Sequence, residues 1–156
     1  MYVFHIRHFR RKGWLAALAL ALAALGLALL LAGCLGRQDQ APRDVPAETD
    51  AQRTAWLAAK GFQVSPEPVE TLTLRLPEDL TAAFGDYLPL QESQGFPFAG
   101  CGGQTVLRCT YAVTNYPDYG GPVQANLYVC GGLLVGGDLT APGENGFIRE
   151  LTFPAS

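Results

Sequence analysis

Trp14 to Ala32 is an unbroken apolar run built almost wholly of alanine and leucine. A run of this kind enters a bilayer, so it limits more than any other feature what the chain can become. The segment ahead of it, Met1 to Lys12, carries Arg7, Arg10, Arg11 and Lys12 and no acidic residue. A basic start followed by an apolar run is the pattern of an export signal. The positive end stays in the cytoplasm while the apolar run inserts.

The run closes with Leu31-Ala32-Gly33-Cys34. This resembles the lipobox of bacterial lipoproteins: a leucine, two small residues, then cysteine. Small residues let a protease approach the backbone ahead of the cysteine. The resemblance implies that residues 1–33 are a signal peptide. It implies lipidation of Cys34 by diacylglycerol on its sulfur, and cleavage between Gly33 and Cys34. The partner expected from this is membrane lipid held through Cys34, with the domain on the extracytoplasmic side of the cell membrane. The alternative is a single-pass protein with an uncleaved N-terminal helix, because the run is about as long as a bilayer requires. Both readings place the C-terminal part outside. Arg10-Arg11 follows Phe9 with no further twin-arginine feature, so a plain basic start is the simpler reading.

Four of the eleven lysines and arginines precede Cys34, and none of the fourteen acidic residues does. The mature part therefore holds seven basic against fourteen acidic residues, a net charge near minus seven. Nucleic-acid binding is not expected, because phosphate contacts need clustered basic side chains. Attraction to anionic headgroups is not expected either, which leaves the acyl chains to hold the membrane. Residues 34–50 are polar with two prolines and read as a tether. Residues 51–156 fit one ordinary domain.

Ala51 to Lys60 is expected to be helical, with Thr49 or Asp50 as N-cap and Gly61 after its end. Trp56, Leu57 and Ala59 supply its apolar side. Phe62 to Ser65 is a short strand candidate. Val69 to Leu76 alternates like a half-buried strand. Pro77, Glu78 and Asp79 suit the start of a second helix through Leu80, Phe84, Tyr87 and Leu88, with Pro89 ending or kinking it. Thr105 to Asn115 places Leu107, Cys109, Tyr111 and Val113 on one face. Val123 to Cys130 and Leu133 to Asp138 follow as strands around a Gly131-Gly132 turn. Phe147 to Phe153 reads as an edge strand. The sum is an α+β domain, two helices on one face of a mainly antiparallel sheet of about four or five strands.

Several segments together suggest a family: Trp56-Leu57, Gly61-Phe62, Gln94-Gly95-Phe96, Tyr111 to Pro117, Asn126-Leu127, Gly136-Gly137-Asp138 and Gly146-Phe147. They resemble domain of unknown function 4830, found in short membrane-attached proteins of Gram-positive anaerobes. The likeness spans nearly all of the chain after the tether. The family has no established activity, so the resemblance implies no catalytic residues. One departure is the cysteines at positions 109 and 130, where an aromatic residue is usual.

With Cys34 lipidated, Cys101, Cys109 and Cys130 remain. The count is odd, so at least one thiol is free or joined to another chain. A disulfide between Cys109 and Cys130 follows if Tyr116 pairs with Val123. The apolar faces instead favour Cys109 opposite Val129, because a one-residue slip reverses every side chain. A bulge would reconcile the two. Buried or free thiols are the plain alternative. A three-cysteine zinc site would need a fourth ligand, and no C-x-x-C pair is present.

Both histidines, His5 and His8, lie in the export signal. Triad and Cys-His catalysis in their usual forms are therefore not available to the mature chain. Four carboxylates lie in the Gly-rich third: Asp118, Asp138, Glu144 and Glu150. Asp beside Gly more often marks a turn than a catalytic group. Gly136-Gly137-Asp138 lacks the Lys and Ser/Thr of a phosphate loop. Neither a cofactor nor a metal is expected. The leading expectation is a non-catalytic, lipid-anchored binding module outside the membrane, taking a protein or envelope ligand. Tyr111, Tyr116, Tyr119 and Tyr128 are candidates for its surface. The competing expectation is a carboxylate-dependent enzyme acting on cell-wall material.

Overall fold

A computed structural model describes residues 44–154. The segment read as an export signal, the Leu31-Ala32-Gly33-Cys34 motif and most of the segment read as a tether lie outside the described residues. One five-stranded antiparallel sheet runs in chain order: β1 (Glu70–Arg75), β2 (Thr105–Val113), β3 (Val123–Cys130), β4 (Leu133–Ala141) and β5 (Phe147–Arg149). Three helices accompany it: α1 (Asp50–Ala59), α2 (Leu80–Phe84) and α3 (Leu88–Ser93), with a 3₁₀ turn at Phe98–Cys101. The domain is α+β, as expected, but its helices number three. Among the described residues no helix is long and apolar enough to cross a membrane.

Helix α1 begins where its sequence says. Thr49 accepts from the Gln52 backbone at 3.3 Å, and the Gln52 side chain accepts from the Thr49 backbone at 3.0 Å. This reciprocal cap satisfies two donors that a helix start otherwise leaves open. The buried stripe, however, is Arg53 and Leu57, while Ala59 is exposed. The domain also starts earlier than expected. Ala47 is buried, its N–H donates to the Gly132 carbonyl at 2.8 Å, and Leu134 N–H donates to the Val45 carbonyl at 2.9 Å. Residues 45–47, placed in the tether by their polarity, thus run beside the start of β4.

The second expected helix is two. Asp79, not Pro77, opens α2: its carboxylate accepts from the backbones of Thr81 at 2.9 Å and Ala82 at 3.3 Å. The chain then restarts at Leu88, and Pro89 lies in the first turn of α3. Proline was expected to stop a helix here. It starts one instead, because a first turn has no partner for the N–H that proline lacks.

Gly131 and Gly132 both take positive φ, 56° and 80°, in the two-residue turn between β3 and β4. This backbone matches the right-handed twist of the flanking strands. Between β2 and β3 the partners are Leu107 with Val129, Cys109 with Leu127, Tyr111 with Ala125, and Val113 with Val123. Cys109 therefore faces neither Cys130 nor Val129. The matched apolar faces set the register, and the connecting loop is longer than either expectation allowed.

Helices lie on both sides of the sheet rather than one. On the inner side Leu57, Phe62, Cys109, Tyr111, Ala125, Leu127 and Leu139 form the main core. On the outer side Leu76, Leu80, Phe98, Cys101, Val106 and Val135 form a second core. Val106 and Val135 alternate with inner-face neighbours, so one end of the outer face is apolar and also needs cover. Strand β1, expected to be half-buried, is an edge strand and mostly exposed, with Leu72 37% accessible. Where β5 stops, α3 takes over the ladder. Gln91 accepts from Gly137 N–H at 2.8 Å and donates to its carbonyl at 3.0 Å. Gln94 donates to the same carbonyl at 3.1 Å and accepts from Leu151 N–H at 2.7 Å.

Candidate functional site: a polar cleft on the outer sheet face

The second core covers only one end of the outer face. The other end stays open because its residues are polar at every second position. One row crosses four strands in register: Glu70 beside Thr110, Thr110 beside Asn126, and Asn126 beside Asp138. From Thr110 to Asp138 the row is hydrogen-bonded through its side chains. Thr110 donates to Asn126 at 2.7 Å, and Asn126 donates to Asp138 at 2.7 Å. Thr140 adds a donor to the same Asp138 oxygen at 2.7 Å. Tyr87, from the segment between α2 and α3, donates to the other oxygen at 2.5 Å.

Together with Gln124, Arg108 and the rings of Phe84, Tyr87 and Tyr128, this row lines a cleft of about 400 Å³. Its closed end is aromatic. Phe98 meets Tyr128 edge-on at 5.3 Å and Tyr87 at 5.7 Å, and Tyr87 meets Tyr128 at 6.3 Å. Edge-to-face packing of this kind holds ring orientations firmly. A polar floor against a rigid aromatic wall suits a ligand carrying hydroxyl or amide groups along one side and an apolar face on the other.

Asp138 is 2% accessible, and every acceptor direction used is filled by a donor from the protein. Burial pushes the Tyr87 hydroxyl far above its usual range, and the adjacent Asp138 charge pushes it further. Tyr87 therefore stays a hydrogen-bond donor. Burial also raises Tyr128, with Asp138 acting the same way. On the rim, Arg108 donates to Glu70 at 2.5 Å. Burial opposes the Arg108 charge, but Glu70 and Tyr128 together outweigh it and the guanidinium is held more firmly protonated. Its Nε–H, buried, has no acceptor among the described residues. Buried donors without partners are uncommon.

Of the four carboxylates singled out in the sequence, only Asp138 enters this cleft. Asp118 is exposed at a left-handed turn position, φ 55°, and Glu144 is exposed in the β4–β5 connection. Glu150 lines a separate groove with Leu90, Tyr116 and Ile148, and Ser93 donates to it at 2.6 Å. The four tyrosines also separate. Tyr111 is fully buried in the main core, while Tyr116 and Tyr119 pack on Phe147. Only Tyr128 reaches the cleft.

Cys109 points into the main core and Cys130 toward the second, on opposite faces, so the two do not meet. Cys101, Cys109 and Cys130 are all thiols here. Among the described residues no three His, Cys, Asp or Glu side chains gather as metal ligands would.

Arg108, Tyr87 and Gln91 were not singled out from the sequence. Arg108 and Thr110 on β2, and Asn126 on β3, are the outward members of strands that otherwise alternate with apolar residues. Polar groups at that period on two central strands were the available signal. Tyr87 carried none, since it read as part of an ordinary amphipathic helix, and Gln91 lay beyond the proline expected to end or kink that helix.

No family model, no curated protein and no solved structure matches this chain.

Proposed function

We propose that the chain is a lipid-anchored binding module, held at Cys34 on the extracytoplasmic side of the membrane, whose outer-face cleft takes an envelope component without transforming it. The state of Asp138 carries this reading. A general base or nucleophile needs an oxygen open to its substrate. Asp138 instead accepts from Tyr87, Asn126 and Thr140, which makes it the anchor of a polar floor. Glu70, the other carboxylate lining the cleft, is engaged by Arg108. The competing cell-wall hydrolase would have to break one of these arrangements before acting. The lipobox resemblance and the acidic mature chain support the anchor and argue against phosphate or headgroup ligands.

Intact mass of the membrane-extracted chain tests the anchor. The expected species begins at Cys34 and carries diacylglycerol; a species beginning at Met1 without lipid would sink this part. Binding is tested separately with purified cell-wall glycan and with membranes solubilised from the same cells. The full chain is expected to retain material that an anchor-plus-tether control does not. Gln124→Trp puts a large ring into the cleft while leaving Thr110, Asn126, Asp138 and Thr140 in place, and is expected to lower retention at least tenfold. Equal retention by the full chain and the control, or by Gln124→Trp, would end the proposal.

A further inference from the structure

The fold brings two cysteines together that the sequence did not pair. Cys101 ends the 3₁₀ turn and is 5% accessible, inside the second core. Cys130 ends β3 and packs against the same core from the more open side. The Cys130 thiol donates to the Gln104 side-chain carbonyl at 3.0 Å and lies 3.7 Å from the Thr105 carbonyl. Gln104 is itself bound to the turn that Cys101 closes. Its backbone N–H donates to the Cys101 carbonyl at 3.0 Å, and its side chain donates to the Gly100 carbonyl at 3.1 Å. Cys109 is on the other face and wholly buried in the main core.

We propose that Cys101 and Cys130 are a disulfide-forming pair whose oxidation staples the 3₁₀ turn to the end of β3, leaving Cys109 as the odd, inert thiol. Both thiols lie at the second core, Cys101 among its buried residues and Cys130 packed against it, and burial raises the Cys101 pKa, with Cys130 acting the same way. In the cell the pairing rests on the export reading, which supplies an oxidising compartment. The oxidant is an external disulfide. Cys130, the more accessible, attacks it as thiolate and forms a mixed disulfide, releasing one thiol. Cys101 thiolate then attacks the Cys130 sulfur and releases the second thiol. Two electrons and the two protein thiol protons end on the reduced oxidant.

The staple reaches the cleft. The 3₁₀ turn carries Phe98, whose ring packs edge-on against Tyr87 and Tyr128. Closing the bond fixes the aromatic wall against the strand that forms the floor, so oxidation state and ligand retention are expected to move together.

The test uses the full chain in detergent, first fully reduced, then treated with oxidised glutathione. Remaining thiols are alkylated and the digest is mapped. The expected product is one peptide pair joining Cys101 and Cys130, with Cys109 alkylated only after denaturation. The oxidised chain is expected to melt roughly 10 °C higher than the reduced one. Cys101 and Cys130 both alkylated after oxidation, or a crosslink containing Cys109, would overturn the pairing. Material alkylated during extraction from membranes is mapped in parallel. A crosslink found there supports both readings. A pair that closes readily in detergent but is reduced in the cell supports the pairing and counts against export alone.

Discussion

Replacing Gly137 by alanine is expected to destabilise the domain by roughly 3 kcal/mol, a large part of the stability of a domain this size. A Cβ at this position would stand 2.3 Å from a Leu151 methyl and 2.9 Å from the Asn126 carbonyl. The carbonyl belongs to the neighbouring strand and cannot retreat without breaking the β3–β4 ladder. Leu151 is buried in the main core and has little room to turn. Gly137 also holds α3, since both its N–H and its carbonyl bond to Gln91. A shift of the strand would therefore loosen the helix beside the cleft as well. Denaturant unfolding followed by fluorescence measures the effect as a lower midpoint at unchanged slope. Gly120→Ala is the control, because nothing lies within 4 Å of a Cβ there, and its expected effect is within about 0.5 kcal/mol. Equal effects at the two sites would show that close approach is not what Gly137 provides.

Arg53→Ala is expected to destabilise the domain by about 3 kcal/mol, with Arg53→Lys recovering less than half. Arg53 is 5% accessible, yet its donors are met. Nε donates to the Tyr111 hydroxyl at 2.8 Å, and Nη1 donates to the Ala47 and Glu48 carbonyls at 2.6 Å and 2.9 Å. Nη2 donates to Asp50 at 2.5 Å, and Tyr111 donates to the same Asp50 oxygen at 2.8 Å. One planar guanidinium thus ties residues 47–48, helix α1 and strand β2 together. A lysine ammonium cannot hold that fork.

The pH dependence of the wild type follows from the same cluster. The hydrogen bond from Arg53, then that from Tyr111, holds Asp50 below its usual 3.8. Its contribution is present above that value and is lost as pH falls through the lowered one. Burial pushes Tyr111 up to about 12 from 10.0. Its contribution is complete below pH 10 and is lost between 10 and about 12. Tyrosinate absorbance should therefore show a late step that is missing in Tyr111→Phe. Unchanged stability in Arg53→Ala would mean that the buried fork is dispensable.

The elements that were legible in the sequence are those whose signals are local. The helix start read at Thr49 or Asp50, the alternation in β2 and β3, and the two-glycine turn all act within a few residues, and the structure has the cap at Thr49 and the other two where they were read. The helix after Pro77 was misplaced because its signals competed: Pro77 and Asp79 both suit a helix start, and Pro89 reads equally well as a stop or as a first-turn residue. Arg53 was missed for the opposite reason. A charged residue on a helix is ordinarily solvated, and the burial of Arg53 is tolerable because Tyr111, 58 residues away, meets its Nε while Ala47, Glu48 and Asp50 meet the rest of its fork.

The disposition of chemistry divides in the same way. From residue types and short-range pattern come the absence of histidine after Cys34, the acidic balance of the residues beyond it, the lipobox resemblance and the α+β class. These depend on composition and short-range pattern, which folding does not alter. Which carboxylate meets which donor, and which cysteine meets which, were decided by the tertiary structure. Cys109 and Cys130 were close in a proposed hairpin and ended on opposite faces, because matching apolar rows shifted the register. Asp138 read as a turn residue beside two glycines and became the anchor of a four-strand polar row. Gly136-Gly137 read as part of a strand and also became the point where a helix lies against it. In each case the deciding partner is distant in sequence, and the free energy that selects it comes from burial and hydrogen-bond satisfaction available only once the sheet is assembled.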